Sequence, residues 1–168
     1  MGKVLSVFGN GSPGAVTRAV DNVIISLKNA GTEAIPFGTP VFISGDRSGA
    51  VPFNTASPQD FSEFLGFAVR VADKTPDTYP GGPFDEQPQG VWKPGDVMEI
   101  LVRGSLAVKM TGTARRAGKA YIRKSDGVLT ANAGTEGTTL DLANVRIRNP
   151  RPETYGCVEI GILSRNLQ

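Results

Sequence analysis

Three glycines near the start of the chain carry the spacing of a phosphate-binding loop. The stretch "VLSVFGNGSPGAVTRAV", Val4 to Val20, places Gly9, Gly11 and Gly14 as G-x-G-x-x-G after an apolar run. In a dinucleotide-binding fold this pattern joins a strand to a helix whose N-terminus holds a pyrophosphate. An acidic residue then closes the next strand, roughly 20 residues on, to hold the ribose. Here the candidate next strand is "EAIPF", with Pro36 inside it, and it runs into Gly38-Thr39-Pro40 with no acid. Pro13 also removes one backbone N–H that a phosphate would use. In a chain with 21 glycines a chance match is unsurprising. The stretch reads instead as an apolar segment, Val4, Leu5, Val7 and Phe8, followed by a glycine hinge.

The remaining reactive side chains do not converge on a catalytic pattern. The chain has no histidine, which excludes Ser-His-Asp triads, histidine metal sites and imidazole acid–base chemistry together. Cys157 is the single cysteine, so no internal disulfide can form, and it reads as a small buried hydrophobe. Asp73, Asp77, Asp85 and Glu86 share one stretch but lack calcium-loop spacing, and the prolines among them resist wrapping round an ion. They read as a solvated acidic loop. Paired carboxylates for glycoside hydrolysis stay open, although aromatics are only 7% of the chain. Arg115, Arg116, Lys119, Arg123 and Lys124 form one basic group, and Arg146, Arg148 and Arg151 a second. No aromatic platform interleaves with either group, and net charge is only +2, so nucleic acid is not an expected partner. The expectation is therefore no catalytic residue, no cofactor and no metal.

The elements that would carry these residues are short strands. At 168 residues, one domain is the default. Gly and Pro, 21 and 12 residues, argue for many tight turns. "NVIISLKN" leans to a strand over 22–28, and Val41-Phe42-Ile43 to another. "GDRSGAVPFNTASPQ" reads as loop. A strand is expected from about Phe64 to Val71, after a helical turn. The strongest signal is "DVMEILVRGSLAVKM", where Val97, Glu99, Leu101 and Arg103 alternate with Met98, Ile100 and Val102. Gly104-Ser105 marks a bend or bulge in it. "AYIRKSDGVLTAN" reads as a hairpin about Asp126-Gly127, "LANVRIRN" as a strand, "NPRPETYG" as loop and "CVEIGILS" as a last buried strand. The fold class predicted is all-β: a compact sandwich or barrel of short strands with long loops, an extended N-terminal arm and at most one or two short helices. The most irregular stretch, Asp73–Asp96, holds five prolines and four glycines. A structureless loop of that length is uncommon in a compact domain and often functional. Its Tyr79, Phe84 and Trp92 are of the type enriched at interfaces. No membrane span and no secretion signal are read from the sequence, so synthesis in a reducing cytoplasm is expected.

The segment "WKPGDVMEILVRGSLAVKMTGTARRAGKAYIRKSDGVLTA" resembles the capsid cement, or head decoration, proteins of tailed bacteriophages. The matching residues are Pro94-Gly95-Asp96, Arg103-Gly104, Gly118, Ala120-Tyr121, Gly127, Leu129 and Thr130. "FGTPV" (Phe37 to Val41), "LGFAVR" (Leu65 to Arg70) and Arg18 extend the likeness upstream. The resemblance implies a non-enzymatic virion protein on the outer capsid surface that bridges major capsid protein subunits, as a homotrimer. A tail, baseplate or adhesin module is the alternative. The expected organisation is an arm and hinge over residues 1–14 and a single β-rich domain over 15–168. The expected capsid or inter-subunit contacts are Val4, Leu5, Val7, Phe8, Tyr79, Phe84 and Trp92.

Overall fold

The computed structural model of the chain describes residues 11–18, 20–71, 90–153 and 157–165, with backbone alone for 151–153. Eleven strands run in chain order: β1 Val23–Lys28, β2 Ile35–Pro36, β3 Pro40–Ile43, β4 Ala50–Pro52, β5 Phe64–Ala68, β6 Val91–Trp92, β7 Val97–Lys109, β8 Lys119–Arg123, β9 Leu129–Thr130, β10 Thr139–Glu153 and β11 Cys157–Ile162. The helical content of the described residues is one 3-10 turn, Phe61–Glu63. Asp60 caps it by accepting from Ser62 N–H, and Glu63 reaches back to the Asp60 N–H, a reciprocal capping box.

The main sheet is antiparallel, in the order β4-β3-β5-β7-β11-β10-β8-β9, with β1 also on β7. β7 holds the two halves together. Its first half pairs with β1 and β5, and its second half with β11. The two halves share one core only because β7 slips by a residue in the middle. Side chains alternate faces along a strand, so Leu101 and Leu106, five positions apart, should point oppositely. Both lie in the same cluster with Phe42, Phe64, Phe67, Ile122, Leu142 and Ile160. The register against β1 jumps from Val23 opposite Arg103 to Ile24 opposite Leu101, and Gly104 takes φ +124. That bulge restores the common face. Phe53, Phe42, Phe64 and Phe67 run through this core as edge-on pairs with centroids 5.5 to 5.6 Å apart. Each such pair adds about 0.5–1.5 kcal/mol beyond its buried area.

The second core lies on the other face of the first half. Val41, Ala68, Met98, Ile100 and Val102 meet Ile35, Phe37 and Trp92 there. The β2–β6 ribbon supplies the last three or their neighbours, with Ile35 opposite Trp92. The sheet curls round this core until Asn29 bridges Ala50 of β4 and Ala30 N–H donates to Ala50 O at 3.0 Å.

Most expected strands are present. Three loop readings need correction. Ala50–Pro52, inside the stretch read as loop, pairs with β3 through Phe42 opposite Val51. The strand over "LANVRIRN" continues through Asn149 to Glu153, because β11 offers a partner along that length. The proline-rich stretch ends in a strand, Val91–Trp92, and a turn closed by Asp96 N–H to Lys93 O at 3.0 Å.

Candidate interaction surface

The structure brings the described residues that follow 1–10 and those that flank 72–89 to one place. Ser12-Pro13-Gly14-Ala15 form a tight turn, with Ala15 N–H donating to Ser12 O at 3.0 Å. Proline at the second position and glycine with φ +77 at the third are what a type II turn requires. Gly14 is then tied on both sides: its N–H donates to Ala107 O, and its carbonyl accepts from Arg70 N–H, each at 2.8 Å. A Cβ at Gly14 would lie 2.8 Å from Phe37 Cβ and 2.9 Å from both Ala68 O and Gly38 N. Gly14 is therefore a fixed junction between the two halves. The hinge expected over the three glycines does not extend to it, because close packing leaves it no room to swing. Gly9 lies outside the described residues.

Arg70 and Val71 lead into the proline-rich stretch, and Gly90 leaves it. Phe37 N–H donates to Gly90 O at 3.4 Å, so the returning chain sits beside the same junction. The Arg70 guanidinium lies 5.9 Å above the Phe37 ring. Trp92 packs edge-on to Phe37 at 6.0 Å and donates its indole N–H to Val69 O at 3.1 Å. It is 4% exposed. Of the seven expected contact residues, Trp92 thus belongs to the chain's own core, where it fastens the loop root. Val4, Leu5, Val7, Phe8, Tyr79 and Phe84 lie outside the described residues, as do Asp73, Asp77, Asp85 and Glu86.

A buried carboxylate fixes the segment after Gly14. Glu159 is 5% exposed on β11, opposite Ala107 of β7. It accepts from Arg18 Nε at 2.6 Å, Arg18 Nη2 at 3.2 Å and Thr17 Oγ1 at 2.9 Å. The Arg18 guanidinium holds the Glu159 carboxyl below the usual carboxylate range; burial opposes this, while Thr17 and the nearby charge of Arg148 assist. Thr17 N–H also donates to Ser105 O at 3.0 Å. The pairing of Arg18 with Glu159 joins residues 141 apart, and no local spacing in the sequence announces it.

The basic groups are partly consumed locally. Lys119 pairs with Asp141 at 2.6 Å, and Arg123 Nε meets Asp126 Oδ1 at 2.9 Å. Arg146 Nη1 donates to the Ala143 and Val145 carbonyls. This agrees with the reading of a solvated strand face. Cys157 is buried, and its thiol is pushed up from its ordinary range chiefly by that burial, so it is poorly suited to act as a nucleophile.

Sequence comparison adds a family. A family model described as a phage structural cement protein matches residues 4–162. Among solved structures, a chain of "The capsid of Myoviridae Phage XM1" superposes with a TM-score of 0.69 at 15% identity, over 97% of this chain and 96% of that one. That likeness is one of fold. No curated protein matches the chain.

Proposed function

The chain belongs to the phage structural cement protein family, a virion protein class with a structural role at the capsid; from that premise we propose that it stabilises the shell by bridging major capsid protein subunits from the outside, as a homotrimer. The observation that supports this most directly is the shared root of the two candidate contact segments. Gly14, Arg70, Phe37 and Gly90 meet at the junction between the two halves, so residues 1–10 and 72–89 join the described structure at one platform. In this reading Val4, Leu5, Val7 and Phe8 form an arm, and Tyr79 and Phe84 are loop anchors. Trp92 serves them from below by holding the loop root against Val69 and Phe37. Modest contacts become strong when a symmetric assembly repeats them over a lattice. The bridging reaction needs no catalytic group and no cofactor.

Co-sedimentation with capsids lacking this protein tests the proposal. The full chain is expected to bind at a fixed ratio to the major capsid protein. Removing residues 1–10, or replacing 74–88 with a short Gly-Ser link, is expected to weaken binding at least tenfold while the fold is kept. Undiminished binding by both variants would remove these segments from the contact. Failure of the full chain to bind would overturn the bridging role.

A further inference from the structure

Arg148 is a half-buried cation that the fold positions and leaves without an acceptor. Ile147 of β10 and Val158, Ile160 and Ile162 of β11 point into the first core. By strand alternation Cys157, Glu159 and Gly161 turn to the opposite face of β11. The register between β10 and β11 slips between Ile147 and Asn149, and Arg148 sits in that irregularity. Bulges re-aim side chains. Here the side chain lies across Gly161: a Cβ at Gly161 would overlap Arg148 Nε and come within 2.9 Å of its Cδ. Gly161 thus leaves the lane that Arg148 fills, and its partner on β7, Ser105, is small. Within this lane Arg148 Nε is buried and has no hydrogen-bond partner.

Beside the lane stands Glu159. The charge of Arg148 bears on it, but both carboxylate oxygens already accept from Arg18, and one of them from Thr17 as well. Two guanidinium cations therefore act on one carboxylate, and the group keeps one positive charge. The Arg18 side chain is 56% exposed. A guanidinium offers a planar fork of N–H donors that fits a carboxylate. A buried donor without an acceptor costs stability, so a docking group that supplies one regains it. The surrounding field has the same sign. Described residues 104–150 and 157–165 hold nine Lys and Arg against four Asp and Glu; described residues 20–71 and 90–103 hold five against seven. Such a field steers a negative partner toward this half.

We propose that Arg148 and Arg18, set about Glu159, receive a carboxylate side chain from an acidic protein surface. This rests on the capsid-bridging reading and gives it a contact face. A nucleic-acid backbone fits the group less well. It presents a run of phosphates, whereas here a buried carboxylate stands between two cations, and no aromatic platform accompanies them.

The test is co-sedimentation with capsids lacking this protein over a series of salt concentrations, with urea melts to check each fold. Arg148→Gln removes the charge and keeps a polar side chain over Gly161. It is expected to weaken binding roughly tenfold or more and to flatten the salt dependence, with the urea midpoint little changed. Lys28→Gln, the same loss of charge at the exposed end of β1, should bind as the wild type does. Arg148→Lys keeps the charge and loses the fork, and should bind several-fold more weakly than the wild type. It decides the matter alone if Arg148→Gln does not fold. Undiminished binding by Arg148→Lys, or equal weakening by Lys28→Gln, would reduce the group to diffuse charge and overturn the carboxylate contact. Undiminished binding by both Arg148 variants would remove this face from the interface while the bridging reading stands. Retention of a short DNA duplex by the wild type, lost in Arg148→Gln, would make the partner a nucleic acid and also overturn the inference. A wild type that does not sediment with capsids would remove the bridging role and this contact together.

Discussion

Glu159 and Gly14 are the residues on which the position of the N-terminal segment turns. Glu159 has its folded-state pKa lowered, so it contributes stability above its unfolded value of about 4.3, and this is lost as pH falls through the folded value. Urea melts of the wild type should therefore weaken on acidification below about pH 4.3. Glu159→Gln should be less stable at pH 7, since Arg18 and Thr17 lose their charged acceptor, and should show a smaller acid-induced drop. An equal drop in both proteins would assign the acid sensitivity to other carboxylates. Gly14→Ala faces both a positive φ and a Cβ closer than 3 Å to three neighbours. It is expected to cost about 1–3 kcal/mol in chemical denaturation. An unchanged midpoint would mean that the junction yields.

Among the elements, β7 decides the architecture through one bulge. Gly104→Val should be among the most damaging single changes in that strand, because its side chain would enter the space of Asn22 and β-branching opposes φ +124. A loss of about 2–4 kcal/mol is expected, larger than for Ser26→Ala on the exposed edge of β1, which should stay within about 0.5 kcal/mol. Trp92 gives an independent element-level check, since β6 is only two residues long. Trp92→Ala should cost about 3–5 kcal/mol. It should also raise amide exchange at Phe37 and Val71 before global unfolding, because the indole spans β2, β6 and the chain after β5. Uniform exchange across the sheet would deny Trp92 its local fastening role.

For the whole molecule, the joint placement of arm root and loop root makes a prediction about coupling. If both segments act from the platform at Gly14, Phe37 and Gly90, then loosening it by Phe37→Ala should weaken capsid binding together with stability. Deleting residues 1–10 should weaken binding with the melting midpoint of the body nearly unchanged. Capsid co-sedimentation alongside thermal melts separates the two. Binding that follows stability in every variant would argue that the segments act only through the fold.

Much of this was legible in the chain, and the division has a physical cause. Alternation of apolar residues is local, so the strands over Val97–Lys109 and Cys157–Ile162, the hairpin at Asp126-Gly127 and the bend at Gly104 could all be read from neighbours in sequence. The absence of histidine likewise bounded the chemistry directly. The loop readings at Ala50–Pro52 and Asn149–Glu153 failed because Pro and Gly lower strand propensity locally, while a partner strand distant in sequence supplies the ladder. Trp92 looked like an exposed anchor because its neighbours are turn residues; only the arrival of Phe37 and Val69 from elsewhere buries it. Gly14 looked like a hinge for the same reason. The sequence by itself determined that the protein is a turn-rich β module, with apolar residues to spare at its start. The tertiary structure alone decided that Arg18 meets Glu159, that Gly14 is locked, and that Gly14, Arg70 and Gly90 gather about Phe37, because these depend on contacts between segments up to 142 positions apart.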